Sequence, residues 1–136
     1  MVFKNKYLEI HCIICNNKYE DLENKWCKPC QLKYLEENFS NWTSKNKKVD
    51  ELIQDMQLRI DGHNDIIFEW IPHNQFDRIK EVGTGGFSKV YSVKWKDGPL
   101  EYDTNKKIYE RNSNKEIALK CLLNSQDITN EFLNEV

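Results

Sequence analysis

Long apolar runs are missing from this 136-residue chain. A helix that crosses a bilayer needs roughly 20 consecutive apolar residues, so no membrane span is expected. The opening stretch, Met1-Val-Phe-Lys-Asn-Lys-Tyr-Leu-Glu-Ile10, also lacks the continuous apolar segment of a secretory signal. The expected compartment is therefore the cytoplasm, and Asn41-Trp42-Thr43 is read as a chance match to the glycosylation pattern. A dominant charge is missing too. Twenty Lys and Arg stand against 22 Asp and Glu, a formal charge of −2 that gives no basic field for nucleic acid. Proline occurs three times and glycine five times, which excludes a collagen-like or low-complexity chain. No internal repeat is present. With 31% charged and 39% hydrophobic residues, the composition is that of a soluble globular chain, long enough for one ordinary domain or two small ones.

The five cysteines are unevenly spread: four lie in the first quarter and Cys121 stands alone. The four form the pattern Cys12-x2-Cys15-x11-Cys27-x2-Cys30. Each pair can turn two sulfurs toward one point, and two pairs complete the tetrahedron of a closed structural Zn²⁺ site. In a reducing compartment such a cluster points to metal rather than to disulfides. The competing reading is four free thiols in a small core. A polar segment of about 40 residues can hardly build that core without a staple. His11 adjoins Cys12, but four sulfurs already fill the shell, so it is read as a surface residue. With no open coordination position, the zinc is expected to be structural.

The chain divides by texture into residues 1–40, the zinc-binding module; 41–75, a helical linker; and 76–136, which is rich in β-formers. In the first part, Leu32, Leu35 and Phe39 share one face of a helix running from Gln31. The polar stretch Ser40–Lys48 reads as a connector. Val49, Leu52, Ile53, Met56 and Ile60 then mark an amphipathic helix that stops by Gly62. Ile66-Ile-Phe-Glu-Trp-Ile-Pro72 is expected to be extended. Strands are predicted over Arg78–Val82, Val90–Trp95 and Glu116–Leu123, and a helix over Ser125–Val136. The fold class is α+β.

Three of the five glycines fall in Val82-Gly-Thr-Gly-Gly-Phe-Ser-Lys-Val90, between two predicted strands. Such a turn can bring backbone N–H groups to phosphate oxygens, although a ligand-free hairpin turn has the same composition. Lys120 lies inside the apolar strand Ile117-Ala-Leu-Lys120, where a charge calls for a partner. Glu135 sits on the following helix among the apolar positions Ile128, Phe132 and Val136, and is the expected partner. Glu131 lies nearer the polar edge and is the weaker choice.

In order, Gly83-x-Gly85-x-Phe87-x-x-Val90, Ile117-Ala-Leu-Lys120 and Phe132-Leu-Asn-Glu135 resemble the first three signatures of the protein kinase small lobe. The last resembles tyrosine-kinase-like members most. The resemblance covers about residues 76–136. It implies ATP as ligand, with Gly83, Thr84, Gly85, Gly86, Phe87 and Ser88 over the phosphates. It further implies Val82, Val90 and Ala118 as the apolar roof over the adenine, and Lys120 on the α- and β-phosphates, steadied by Glu135.

Three features depart from that family. Ser88 stands where a third glycine is usual. The 94–116 connection is long; Leu100-Glu-Tyr and Lys107-Ile-Tyr can pair as an inserted hairpin around Asp103-Thr-Asn, read as a solvated excursion. The chain also contains neither a His-Arg-Asp-type catalytic loop nor an Asp-Phe-Gly motif. The catalytic base and the Mg²⁺-holding residues are therefore absent from these residues, and phosphoryl transfer to protein hydroxyls is expected only of a longer chain. Two rival expectations are a zinc-dependent protein-interaction module with a passive kinase remnant, and a truncated product without a stable fold.

Overall fold

A computed structural model describes residues 9–85 and 88–122. Gly86, Phe87, the predicted helix over Ser125–Val136 and with it Glu135 lie outside the described residues. The described chain is α+β. In order it forms helix α1 (Lys28–Glu37), a 3-10 turn (Phe39–Asn41), helix α2 (Lys47–Leu58) and a second 3-10 turn (His73–Gln75). Strands β1 (Phe76–Gly85), β2 (Ser88–Trp95), β3 (Leu100–Asp103), β4 (Ile108–Arg111) and β5 (Lys115–Leu122) follow. The strands make two antiparallel sheets, β1-β2-β5 and β3-β4.

Helix α1 begins three residues before Gln31, the expected start. Pro29 fits its first turn, where a missing N–H costs nothing, and the Cys27 carbonyl accepts from Gln31 N at 3.0 Å. Helix α2 is capped by Asn46, whose side-chain oxygen accepts from the backbone N–H groups of Lys48 and Val49 at 3.0 and 3.2 Å. It ends at Leu58, ahead of Gly62. Residues 66–72 join no ladder.

The core holds Trp26, Leu35, Ile60, Ile67 and Tyr109, with Leu32, Phe39, Leu100 and Tyr102 packed against it. It therefore draws on the cysteine segment, on the stretch after α2 and on the β3–β4 hairpin. The hairpin forms about the expected turn: Asp103 Oδ1 accepts from Asn105 N and Lys106 N at 2.8 and 3.0 Å. It departs from the expected solvated excursion, because Tyr109 is only 7% exposed. The physical reason lies in its alternation. Leu100 with Arg111 and Tyr102 with Tyr109 are cross-strand partners, and the two tyrosines and Leu100 offer apolar surface that the cysteine segment cannot bury alone. At the entrance of the hairpin, Gly98 has φ +75°, and a Cβ there would lie 1.8 Å from the Asn112 carbonyl oxygen. Only glycine fits this close approach of two chain segments.

In the larger sheet, β1 carries two register shifts, between Asp77 and Lys80 and between Glu81 and Gly83. The first includes Arg78 at φ 50°. The β2–β5 ladder is regular from Ser88↔Leu122 to Trp95↔Lys115. Val93 and Trp95 are buried, whereas Glu116, Ala118 and Lys120 on the opposite face are exposed. Among the described residues no helix is long and apolar enough to cross a membrane.

Candidate metal centre and nucleotide face

The first cysteine pair sits in a short knuckle closed by backbone bonds. Cys12 N donates to Asn17 O and Asn16 N to Cys12 O, both at 2.8 Å, and Tyr19 N donates to Ile10 O at 2.9 Å. Asn16 turns the chain with φ 66°. A second turn runs from Asp21 to Trp26. Asp21 Oδ1 accepts from Asn24 N at 3.1 Å, Trp26 N donates to Asp21 O at 3.1 Å, and Lys25 takes φ 50°. Helix α1 then carries Cys30 in its first turn, one step from Cys27 at its cap.

These elements bring the four sulfurs within 4.8 Å of one another. Cys15 and Cys27 Sγ are 3.3 Å apart, and Cys12 and Cys30 Sγ 3.7 Å. Backbone and amide donors point at the sulfurs: Ile14 N reaches Cys12 Sγ at 3.4 Å and Asn17 Nδ2 reaches Cys15 Sγ at 3.3 Å. All four cysteines are free thiols. The Asn17 backbone N–H lowers the Cys15 thiol to about 6, while burial pushes Cys30 up to about 11 and Cys27 up as well. Burial thus resists several thiolates side by side. A divalent cation at the centre of the cluster offsets that resistance, and soft sulfur donors in this number suit zinc. Cys12, Cys15, Cys27 and Cys30 are placed to hold a metal ion; among the described residues the cluster does not include His11.

The residues expected to hold a nucleotide lie 50 to 110 positions further on, and the ladder brings part of them together. Val90 is the Cα partner of Gly83 on one side and of Lys120 on the other. Residues two apart on a strand share a face, so Ala118 stands on the same side as Lys120. Ser92, the partner of Ala118, continues that face. Val82 lies within the second register shift and is 58% exposed. Thr84 and Gly85 pair through the backbone with Lys89 and Ser88.

Lys120 was expected in a buried setting beside Glu135. It is exposed, and the residues expected to cover its face lie outside the described residues. Sequence reasoning missed Gln57, a buried amide whose Nε2 donates to the Phe68 carbonyl at 2.7 Å. Its position four residues after Ile53 on the inner face of α2 was the available signal. It also missed Glu69, which accepts from Leu100 N at 3.1 Å and from Arg111 Nη2 at 2.8 Å.

Compared with known protein families, curated proteins and solved structures, the chain gives no match.

Proposed function

We propose that this chain joins a structural zinc module to the ATP-holding edge of a protein kinase small lobe. The observation that carries the reading is the row Gly83, Val90 and Lys120, three successive partners across β1, β2 and β5. In this reading that row joins a glycine turn, an apolar platform and an ammonium along one face of the described sheet. In this reading the backbone of Gly83–Ser88 cradles the phosphates, and Val82, Val90 and Ala118 meet the adenine. Lys120 neutralises the α- and β-phosphates, and Glu135 steadies it. The exposure of Lys120 fits a group that meets a ligand rather than a core.

ATP supplies the phosphoryl group, and transfer of its γ-phosphoryl to a protein hydroxyl is proposed only where further residues add a base and Mg²⁺ ligands. The four cysteines hold one structural zinc, and the role of that zinc is to fold the amino-terminal part.

The test is equilibrium dialysis with labelled ATP against three forms of the full chain. Lys120→Met should weaken binding about tenfold, the loss of a charge-assisted hydrogen bond of ordinary strength. Lys115→Met, on the opposite face of the same strand, should bind as the wild type does. Equal affinities in all three would remove the nucleotide reading.

A second reading, a zinc-dependent protein-interaction module, draws on one observation. Ile13 and Ile14, between the first two cysteines, are 78% and 82% exposed. Zinc content with no nucleotide binding would favour it.

A further inference from the structure

The stretch Asn24–Cys27 holds one sulfur ligand and also three groups that meet the β3–β4 hairpin. The Tyr102 hydroxyl lies 3.3 Å from the Asn24 carbonyl oxygen and 3.2 Å from that of Lys25, and donates to this pair. Trp26 is fully buried, and its Nε1 donates to the Tyr109 hydroxyl at 3.3 Å. The Tyr109 ring stacks on Tyr34 of α1 at 6.2 Å and meets Tyr102 edge-on at 5.4 Å. Asp21, at the start of the same turn, lies 3.0 Å from His63 Nδ1, and the His63 ring faces Tyr102 at 6.3 Å.

The other end of the hairpin is fastened to the three-stranded sheet. Arg111 donates to the Gly98 carbonyl at 2.9 Å and to Glu69 at 2.8 Å, and its guanidinium lies 5.8 Å from the centre of the Trp95 ring. Lys115, the first residue of β5, pairs with Glu101 at 2.6 Å. Two strands of four residues are marginal by themselves, so the hairpin owes its order to what it touches.

We propose that the β3–β4 hairpin is a metal-dependent strap, ordered by occupancy of the four-cysteine centre and passing that state to the end of the sheet where β2 stops and β5 starts. The inference rests on the reading of the four cysteines as a metal centre. Metal holds Cys27, and Cys27 fixes the turn that offers two carbonyls and an indole to the hairpin. Without metal that turn loses its anchor, and the tyrosines lose three partners at once. The coupling is reciprocal: whatever the metal lends to the hairpin, the hairpin returns to metal affinity.

Hydrogen exchange on the full chain, zinc-loaded and then chelated, tests this, with zinc content measured on the same samples. The expected result is joint loss of protection in residues 12–30 and 100–111 on chelation, a smaller loss at 93–96 and 115–117, and none at 79–84. A second arm uses competition with a chromophoric chelator. Tyr102→Phe should weaken zinc affinity about fivefold, the equivalent of one ordinary hydrogen bond, and Lys106→Ala at the exposed hairpin tip should leave it unchanged. A chain that takes up no zinc overturns the metal reading and the strap with it. Zinc uptake with residues 100–111 equally protected in both states overturns the strap and leaves the metal reading standing. Equal deprotection of 79–84 also overturns it, as general unfolding. So does a Tyr102→Phe affinity equal to the wild type.

Discussion

The indole N–H of Trp26 and the hydroxyl of Tyr109 meet at 3.3 Å across 83 positions of sequence, inside the core. Through that contact, a segment too small to fold alone shares its apolar interior with a hairpin that is also too small. Removing either ring should therefore be costly. Tyr109→Ala is expected to lower stability by about 3–5 kcal/mol, the range for deleting a buried aromatic. Tyr109→Phe keeps the ring and should cost about 1 kcal/mol. Urea unfolding of zinc-loaded protein separates the two; equal losses would mean that the hydroxyl rather than the ring carries the contact.

Gly98 gives a sharper backbone test. A methyl group there would meet the Asn112 carbonyl at 1.8 Å in a conformation that already has φ +75°. Gly98→Ala should destabilise by about 1–3 kcal/mol or more, the usual cost of overpacking. Gly62→Ala is the control, since nothing lies within 4 Å of a Cβ at that position. A thermal midpoint that falls equally in both variants would contradict the described hairpin entrance.

Metal removal should unfold the amino-terminal part. Structural zinc is worth on the order of 10–16 kcal/mol in zinc-finger peptides, far more than a segment of this size can supply by burial. Purified chain is expected to carry one zinc, and chelation should abolish the near-ultraviolet signal of buried Trp26. Much less than one zinc per chain by elemental analysis would rule the centre out.

Acid should weaken the fold in a defined window. The Ser44 and Thr43 hydroxyls hold the Asp50 carboxyl below its ordinary value, Lys115 does the same for Glu101, and Lys28 for Asp61. A carboxyl depressed in the folded state contributes stability above its unfolded pKa, near 4. That contribution is lost as pH falls through the lower, folded value. Thermal midpoints measured from pH 6 down to pH 3 should fall, and the fall should be shallower in Asp50→Asn. A parallel curve for that variant would show that the contacts of Asp50 with Ser44 and Thr43 do not depend on the charge.

Much of this architecture was legible in the residues. The paired cysteine spacing anticipated a cluster that the fold brings within 4.8 Å, because each short turn fixes two sulfurs locally. Both described helices followed from apolar spacing, and the three strands of the larger sheet from β-formers around the glycine turn. What was not legible was long-range. The burial of Tyr109 depends on Trp26 and Tyr34, that of Gln57 on the Phe68 carbonyl, and the half-buried position of Glu69 on Arg111. Local patterns carry no information about such partners. Lys120 is exposed among the described residues, and its expected partner Glu135 lies outside them.

An amide-resolved titration of the zinc-loaded chain with ATP tests nucleotide binding at the β1-β2-β5 sheet. Local shifts decide more here than affinity. The row Gly83, Val90 and Lys120 predicts saturable shifts in the amides of residues 82–90 and 118–120, with residues 12–30 unmoved. In Lys120→Met the same shifts should shrink and saturate at higher ATP. Saturating ATP that leaves residues 82–90 unmoved, or moves them equally in wild type and Lys120→Met, would rule out a nucleotide site at this face.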